Sequence, residues 1–128
     1  MATTTDPKDA KRSHAGLDPF ESVRYLRRHT KLTEADLADG TGASTRTVRR
    51  WIAAKPTEDR EPRYARQIDD LRTIVQELEE SLTPKGIRQW LRARNRYLDG
   101  ERAIDLLREG QFRKVREAAL AFREGYYV

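Results

Sequence analysis

Apolar residues return every three or four positions along most of this chain, and proline or glycine interrupts the series where it lapses. That is the pattern of a string of short amphipathic helices. The first block opens at Asp18, an N-cap residue ahead of Pro19 at the first helical position, with Glu21 three residues on. Phe20, Val23, Tyr25 and Leu26 supply a face to bury, and Arg24, Arg27 and Arg28 a charged flank. The longest block, Arg63 to Leu82, spaces Tyr64, Ile68, Leu71, Val75, Leu78 and Leu82 at intervals of 4, 3, 4, 3 and 4. Such a stripe serves either as a coiled-coil seam between two chains or as a core face; Ile74 beside Val75 widens it, which suits a core. Three shorter blocks follow: Ile87, Trp90 and Leu91; Ile104, Leu106 and Leu107; Phe112, Val115, Ala119 and Phe122. Thr83 and Pro84 open the first, Asn95 to Gly100 breaks it, and Gly110 and Gly125 end the other two, Gly125 as a left-handed C-cap. Trp90 reads as core rather than partner contact, being one of only three large apolar side chains in its block. The prediction is an all-α fold of roughly seven helices.

The block from Leu32 to Ile52 carries a more particular pattern. Thr33 starts a helix with Asp36 three residues later, and Leu37 and Ala38 face inward. Gly42 makes a sharp turn, Ser44 caps the next helix, and Val48, Trp51 and Ile52 form its apolar face. Ala38 and Gly42, four apart and followed by Val48, match helix-turn-helix spacing; an ordinary helical hairpin is the plainer reading. Gly40, inside the first helix of the pair, lowers that helix's intrinsic stability. The second helix holds Arg46, Arg49 and Arg50, then Lys55, with no acidic residue. Thr45, Arg46, Arg49 and Arg50 project away from the apolar face, leaving a one-sided basic surface suited to a DNA groove, with Ser44 and Thr45 near phosphate.

Composition narrows the classes. The chain has 128 residues, 37% hydrophobic and 37% charged, enough for one compact domain or two small ones sharing a core. It has no cysteine and only His14 and His29 as imidazoles, so neither a disulfide nor a metal centre is expected. No Gly-rich phosphate loop and no His-containing dyad is present; we expect no catalytic residues and no enzyme activity. No apolar run approaches membrane-spanning length and no signal peptide is visible, so a cytoplasmic protein is expected. The net charge is +5, and its excess lies early: residues 1–56 hold 11 Lys/Arg against 7 Asp/Glu, residues 57–128 hold 15 against 14. Nucleic acid is therefore to be sought in the N-terminal half. Residues 1–17 are polar and aperiodic and read as a disordered tail, 18–56 as the helix-turn-helix domain, 57–62 as a Pro-containing linker, and 63–128 as a helical C-terminal lobe.

The last third contains Trp90-Leu91, Asn95, Leu98-Asp99-Gly100, Ile104-Asp105-Leu106-Leu107, Gly110, Val115 and a terminal Gly125, in that order. This ordered set resembles the toxin-binding domain of Xre/MbcA/ParS antitoxins, and the Leu32–Ile52 block resembles their Xre-like helix-turn-helix. At one place the chain departs: where the family usually has a proline opening the helix of the Leu-Leu pair, this sequence has Ala103. The resemblance implies a type II antitoxin that neutralises a cognate RES-domain, NAD-consuming toxin and represses its own operon by binding operator double-stranded DNA. It implies no cofactor in the antitoxin itself. It places Gly125, Tyr126, Tyr127 and Val128 in or over the toxin's active site, with Tyr97, Leu98 and Arg123 holding the lobe against the toxin. The residues alone leave open a tail folded back on its own lobe. A homodimer or a toxin–antitoxin hetero-oligomer is expected, because a lone helix-turn-helix makes few DNA contacts. The other reading of the sequence is a stand-alone helix-turn-helix transcription regulator whose C-terminal lobe only dimerises.

Overall fold

Proline opens three of the helices, at Pro19, Pro62 and Pro84, where its fixed φ suits the first turn and its missing N–H costs nothing. The computed structural model describes residues 19–53 and 62–125. Seven α-helices lie among them: α1 Pro19–His29, α2 Glu34–Thr41, α3 Thr45–Ala53, α4 Pro62–Leu78, α5 Pro84–Arg92, α6 Ala103–Arg108 and α7 Phe112–Arg123. Between α5 and α6 the chain makes a two-stranded antiparallel ladder, β1 Arg94–Asn95 with β2 Glu101–Arg102, around a 3₁₀ turn at Arg96–Leu98. The fold is all-α, as the periodicity predicts; the ladder is too short to leave a sequence signal. The N-cap expected of Asp18, the fate of Lys55 and the tail residues Tyr126, Tyr127 and Val128 fall outside the described residues.

The α4 stripe is a core face. Ile68, Leu71, Ile74, Val75 and Leu78 are buried, against α1 and α2 on one side and α6 and α7 on the other. One cluster of buried apolar residues runs from Phe20, Val23 and Leu26 through Leu37, Val48 and Trp51 to Ile104, Leu107, Val115 and Ala119. The expected end of α4 at Leu82 is corrected to Leu78: a turn over 79–81 follows, in which the N–H groups of Ser81 and Leu82 both bond to the Leu78 carbonyl. The reason is Pro84, which holds the preceding Thr83 extended at ψ 166, so the helix must close before it. Leu82 still packs on the core from that turn.

Two features fix how the helices meet. Arg72 of α4 is fully buried, donating to Ser22 Oγ of α1 at 3.3 Å and pairing with Asp69 one turn back. Gly40, the odd residue in α2, sits where that helix packs closely on α4 and α6. A Cβ there would lie 3.3 Å from Ile104 Cγ1 and 3.4 Å from Leu71 Cδ2. The propensity lost in α2 is the condition for packing it on α4 and α6.

Candidate functional site

The α2–α3 pair is assembled by local hydrogen bonds. Thr33 Oγ1 accepts from the Asp36 N–H at 3.1 Å, and Asp36 Oδ2 accepts from the Thr33 N–H at 2.9 Å, a complete capping box. At the other end Gly42, at φ +88, donates to the Ala38 carbonyl at 2.9 Å, and the left-handed backbone reverses the chain within three residues. Ser44 Oγ then accepts from the Thr47 N–H at 3.1 Å and caps α3. Val48 and Trp51 are buried, and the tertiary core holds α3 by that face.

Arg46, Arg49 and Arg50 stand exposed on the far side of α3, with Ser44 exposed at its start and Thr45 half-buried. The expected DNA-facing set is therefore brought together on one surface. That surface is corrected in one respect: it is not purely basic. Arg49 Nε meets Glu34 Oε1 from α2 at 2.9 Å, because the turn at Gly42 folds the first residue of α2 beside α3. Both partners are solvated, so the pair is worth less than about 1 kcal/mol and can be exchanged for another anion. Arg27, Thr33, Glu34, Ala35, Thr45 and Arg49 line a shallow cleft of about 480 Å³ where the two helix N-termini converge.

Between α5 and α6 the 3₁₀ turn presents one aromatic. Asn95 Oδ1 accepts from the Tyr97 N–H at 2.9 Å, Gly100 donates back to the Asn95 carbonyl at 2.9 Å, and Asp99 takes a left-handed φ of 58. Tyr97 is thereby held out at 45% exposure, the one large hydrophobic residue exposed among the described residues. Leu98, expected to touch a partner, is 1% exposed. It faces the core, because successive residues of a tight turn point apart, and its role is to anchor the turn that displays Tyr97. Arg123, expected on the partner surface, is engaged within the chain: its Nη1 lies 2.8 Å from Glu77 Oε1 and 3.7 Å from Glu80 Oε1, tying α7 to α4. Gly125 is exposed with φ +78 and donates to the Phe122 carbonyl at 3.1 Å, turning the chain out of α7. Trp90, expected in the core, is half-buried at its edge, its ring 6.3 Å from that of Phe122.

Sequence reasoning missed how the two halves are joined. Asp36, read only as a capping residue, also accepts from Arg88 Nε at 2.6 Å and Arg92 Nη1 at 2.9 Å, both from α5. Arg92 reaches Asp39 as well, at 3.2 Å. Burial by itself would raise the Asp36 carboxyl, but the Arg88 hydrogen bond and the Thr33 N–H outweigh it and hold it below the usual carboxylate range. The only sequence signal was two arginines four apart on a short helix, Arg88 and Arg92, with no acid beside them. Among the described residues no group of His, Cys, Asp and Glu is arranged to hold a metal, and no helix is long and apolar enough to cross a membrane.

No family model matches the chain. A probable mycobacterial cidal antitoxin of Mycobacterium tuberculosis is 42% identical over 97 residues, 76% of this chain and 81% of that protein. The mycobacterial cidal antitoxin MbcA of Mycobacterium bovis is 29% identical over 97 residues, covering 76% of this chain and 84% of its own length. One chain of the crystal structure of the M. tuberculosis MbcT–MbcA toxin–antitoxin complex superposes with a TM-score of 0.72 at 27% identity, over 85% of this chain and 96% of that one. The class defined by this all-α build and these similarities is that of the antitoxins of toxin–antitoxin pairs. Within that class the chain belongs to the family of mycobacterial cidal antitoxins, of the MbcA type.

Proposed function

We propose that the chain neutralises a cognate RES-domain toxin, an NAD-consuming enzyme, by laying its C-terminal lobe and tail over the toxin's active site, and that it represses its own operon through a helix-turn-helix formed by α2 and α3. The observation that carries the first part is the likeness, over most of both chains, to a chain of the MbcT–MbcA complex. On the lobe, Tyr97 is the exposed aromatic that an interface would use as an anchor, with Leu98 positioning it. Gly125, at φ +78, ends α7, and in this reading Tyr126, Tyr127 and Val128 continue from it onto the toxin. A site that binds NAD has space for two flat ring systems, and in this reading the rings of Tyr126 and Tyr127 occupy it. Arg123 acts indirectly, by keeping α7 on α4.

The second part rests on the exposed arginines of α3. In this reading Arg46 and Arg50 enter the groove, Arg49 exchanges Glu34 for a phosphate, and Ser44 and Thr45 lie by the backbone at the helix N-terminus. Two copies, alone or bridged by toxin, place two such helices on half-sites about one helical turn apart.

Co-expression with the product of the neighbouring gene tests the toxin reading. The two proteins should co-purify. Deletion of Tyr126 to Val128 should leave a folded protein that still binds operator DNA but no longer rescues cells making the toxin. Full rescue by the truncated chain places inhibition elsewhere, and failure to co-purify removes the pairing altogether.

A further inference from the structure

Along α4 and the turn after it, Asp69, Asp70, Thr73, Glu77 and Glu80 share one helical face, and Phe112, Arg116 and Arg123 of α7 stand opposite. Together they enclose a groove of about 520 Å³. Among the lining side chains four carboxylates stand against two guanidiniums, with Arg72 paired to Asp69 and the Arg66 charge acting on Asp70 from the same helix, on a chain whose net charge is +5. Both guanidiniums are engaged with one acid: Arg116 and Arg123 lie 3.1 and 2.8 Å from the Glu77 carboxylate. Asp69 pairs with Arg72, and Glu80, 69% exposed, has Arg123 only at 3.7 Å.

Asp70 stands apart from these. It is 8% exposed, it lines the groove, and its Oδ2 has no hydrogen-bond partner among the described residues. Burial pushes its carboxyl up to about 6, opposed by the Arg66 charge and assisted by Asp69. A buried, charged carboxylate with one oxygen left without a hydrogen bond destabilises the fold that contains it, and asparagine would fit the same space without burying a charge. The penalty disappears when a cation arrives from outside. A bare, strongly hydrated ion has no use for the Phe112 ring, whereas the methylene stem of a basic side chain lies along an aromatic wall while its head group reaches the acid.

We propose that the α4–α7 groove receives a lysine or arginine side chain from a protein partner, with the head group against Asp70 and the stem along Phe112. The inference rests on the reading that the chain binds a toxin, and adds a contact surface on α4 and α7 to that of Tyr97. The rest of the chain, being basic, repels a cationic segment, which makes the groove the place where one is selected.

The test is calorimetric titration of the full chain with a capped tetra-arginine peptide, with spermidine as a second titrant. Saturable binding of the peptide is expected. Asp70→Asn should weaken it at least fivefold without lowering the melting temperature, and Glu80→Gln, at an exposed site that cannot threaten the fold, at least twofold. Absence of saturable binding to the wild type overturns the proposal, as does equal affinity for wild type and Asp70→Asn; if that variant does not fold, Glu80→Gln decides. Spermidine binding as tightly as the peptide assigns the groove to small polyamines and overturns the protein occupant. The titration is independent of the toxin. If wild type and Asp70→Asn hold the neighbouring-gene product equally, the groove inference falls and the toxin reading stands. If the wild type does not hold it, the toxin reading falls and the titration still decides the groove.

Discussion

Asp36 and Arg88 meet at 2.6 Å although they lie 52 positions apart, and through that contact the cap of α2 is also the clamp on α5. The acid is 1% exposed; Arg88 and Arg92 reach it from solvent at the edge of the helix pair. The surface proposed to read DNA and the helix that leads into the Tyr97 turn are therefore locked by one carboxylate.

Asp36→Ala removes half of the capping box and both ion pairs at once. The orphaned arginines are part-exposed and can rehydrate, which limits the loss to about 2–4 kcal/mol. Chemical denaturation at neutral pH checks it; a loss below about 0.5 kcal/mol, the scatter of ordinary surface changes, would mean the clamp is idle. Because the folded carboxyl is held below its ordinary value, this contribution is complete above about pH 4 and is lost as pH falls below that.

Asp70 gives the opposite slope. Its carboxyl is raised to about 6 in the fold, so between about pH 4 and 6 the folded state binds a proton that the unfolded chain has lost. Stability should rise as pH is lowered through that window, by roughly 2–3 kcal/mol if Asp70 acted alone. Asp70→Asn should be more stable than wild type at pH 7.5 by about 1–3 kcal/mol and should lose this slope. Denaturation midpoints for both proteins from pH 7.5 to 4 provide the comparison, and parallel curves would contradict it.

The two tryptophans should differ in their cost of removal. Trp51 is fully buried between α3 and the core, edge-on to Tyr64 at 5.6 Å, so Trp51→Ala should cost about 3–5 kcal/mol. Trp90 is half-buried against Phe122, and water can fill part of the space it leaves, so Trp90→Ala should cost about half as much, roughly 1.5–2.5 kcal/mol. Thermal melts of both variants decide; equal losses would place Trp90 as deep as Trp51.

For the arginines of α3 the readout is operator DNA. Removing a base-reading arginine, Arg46 or Arg50, should cost about 1–3 kcal/mol and relax specificity at one base pair. Arg49→Ala should weaken all sequences alike and flatten the salt slope by about one. A triple alanine variant that shifts promoter DNA at the wild-type protein concentration would remove α3 as the reading helix.

Much of this molecule is legible in its sequence. The seven helices, the Thr33 box, the Gly42 turn, the Ser44 cap and the buried stripe of α4 all rest on interactions within about one turn of chain, which periodicity and capping chemistry report directly. The family could be read from ordered residues in the last third for the same reason: they are turn glycines and helix-face leucines. What the tertiary structure alone decided is which of those residues face each other. Leu98 and Tyr97 are neighbours in sequence, and only the ladder and the 3₁₀ turn bury one and expose the other. Arg123 looked available until Glu77, 46 positions away, was placed beside it. Gly40 read as a flaw until Ile104 and Leu71 were packed against its bare Cα. Asp36 and Arg88 carry no mark of their pairing, because an ion pair between distant segments depends on where helices cross, and helix crossing is settled by the whole core at once.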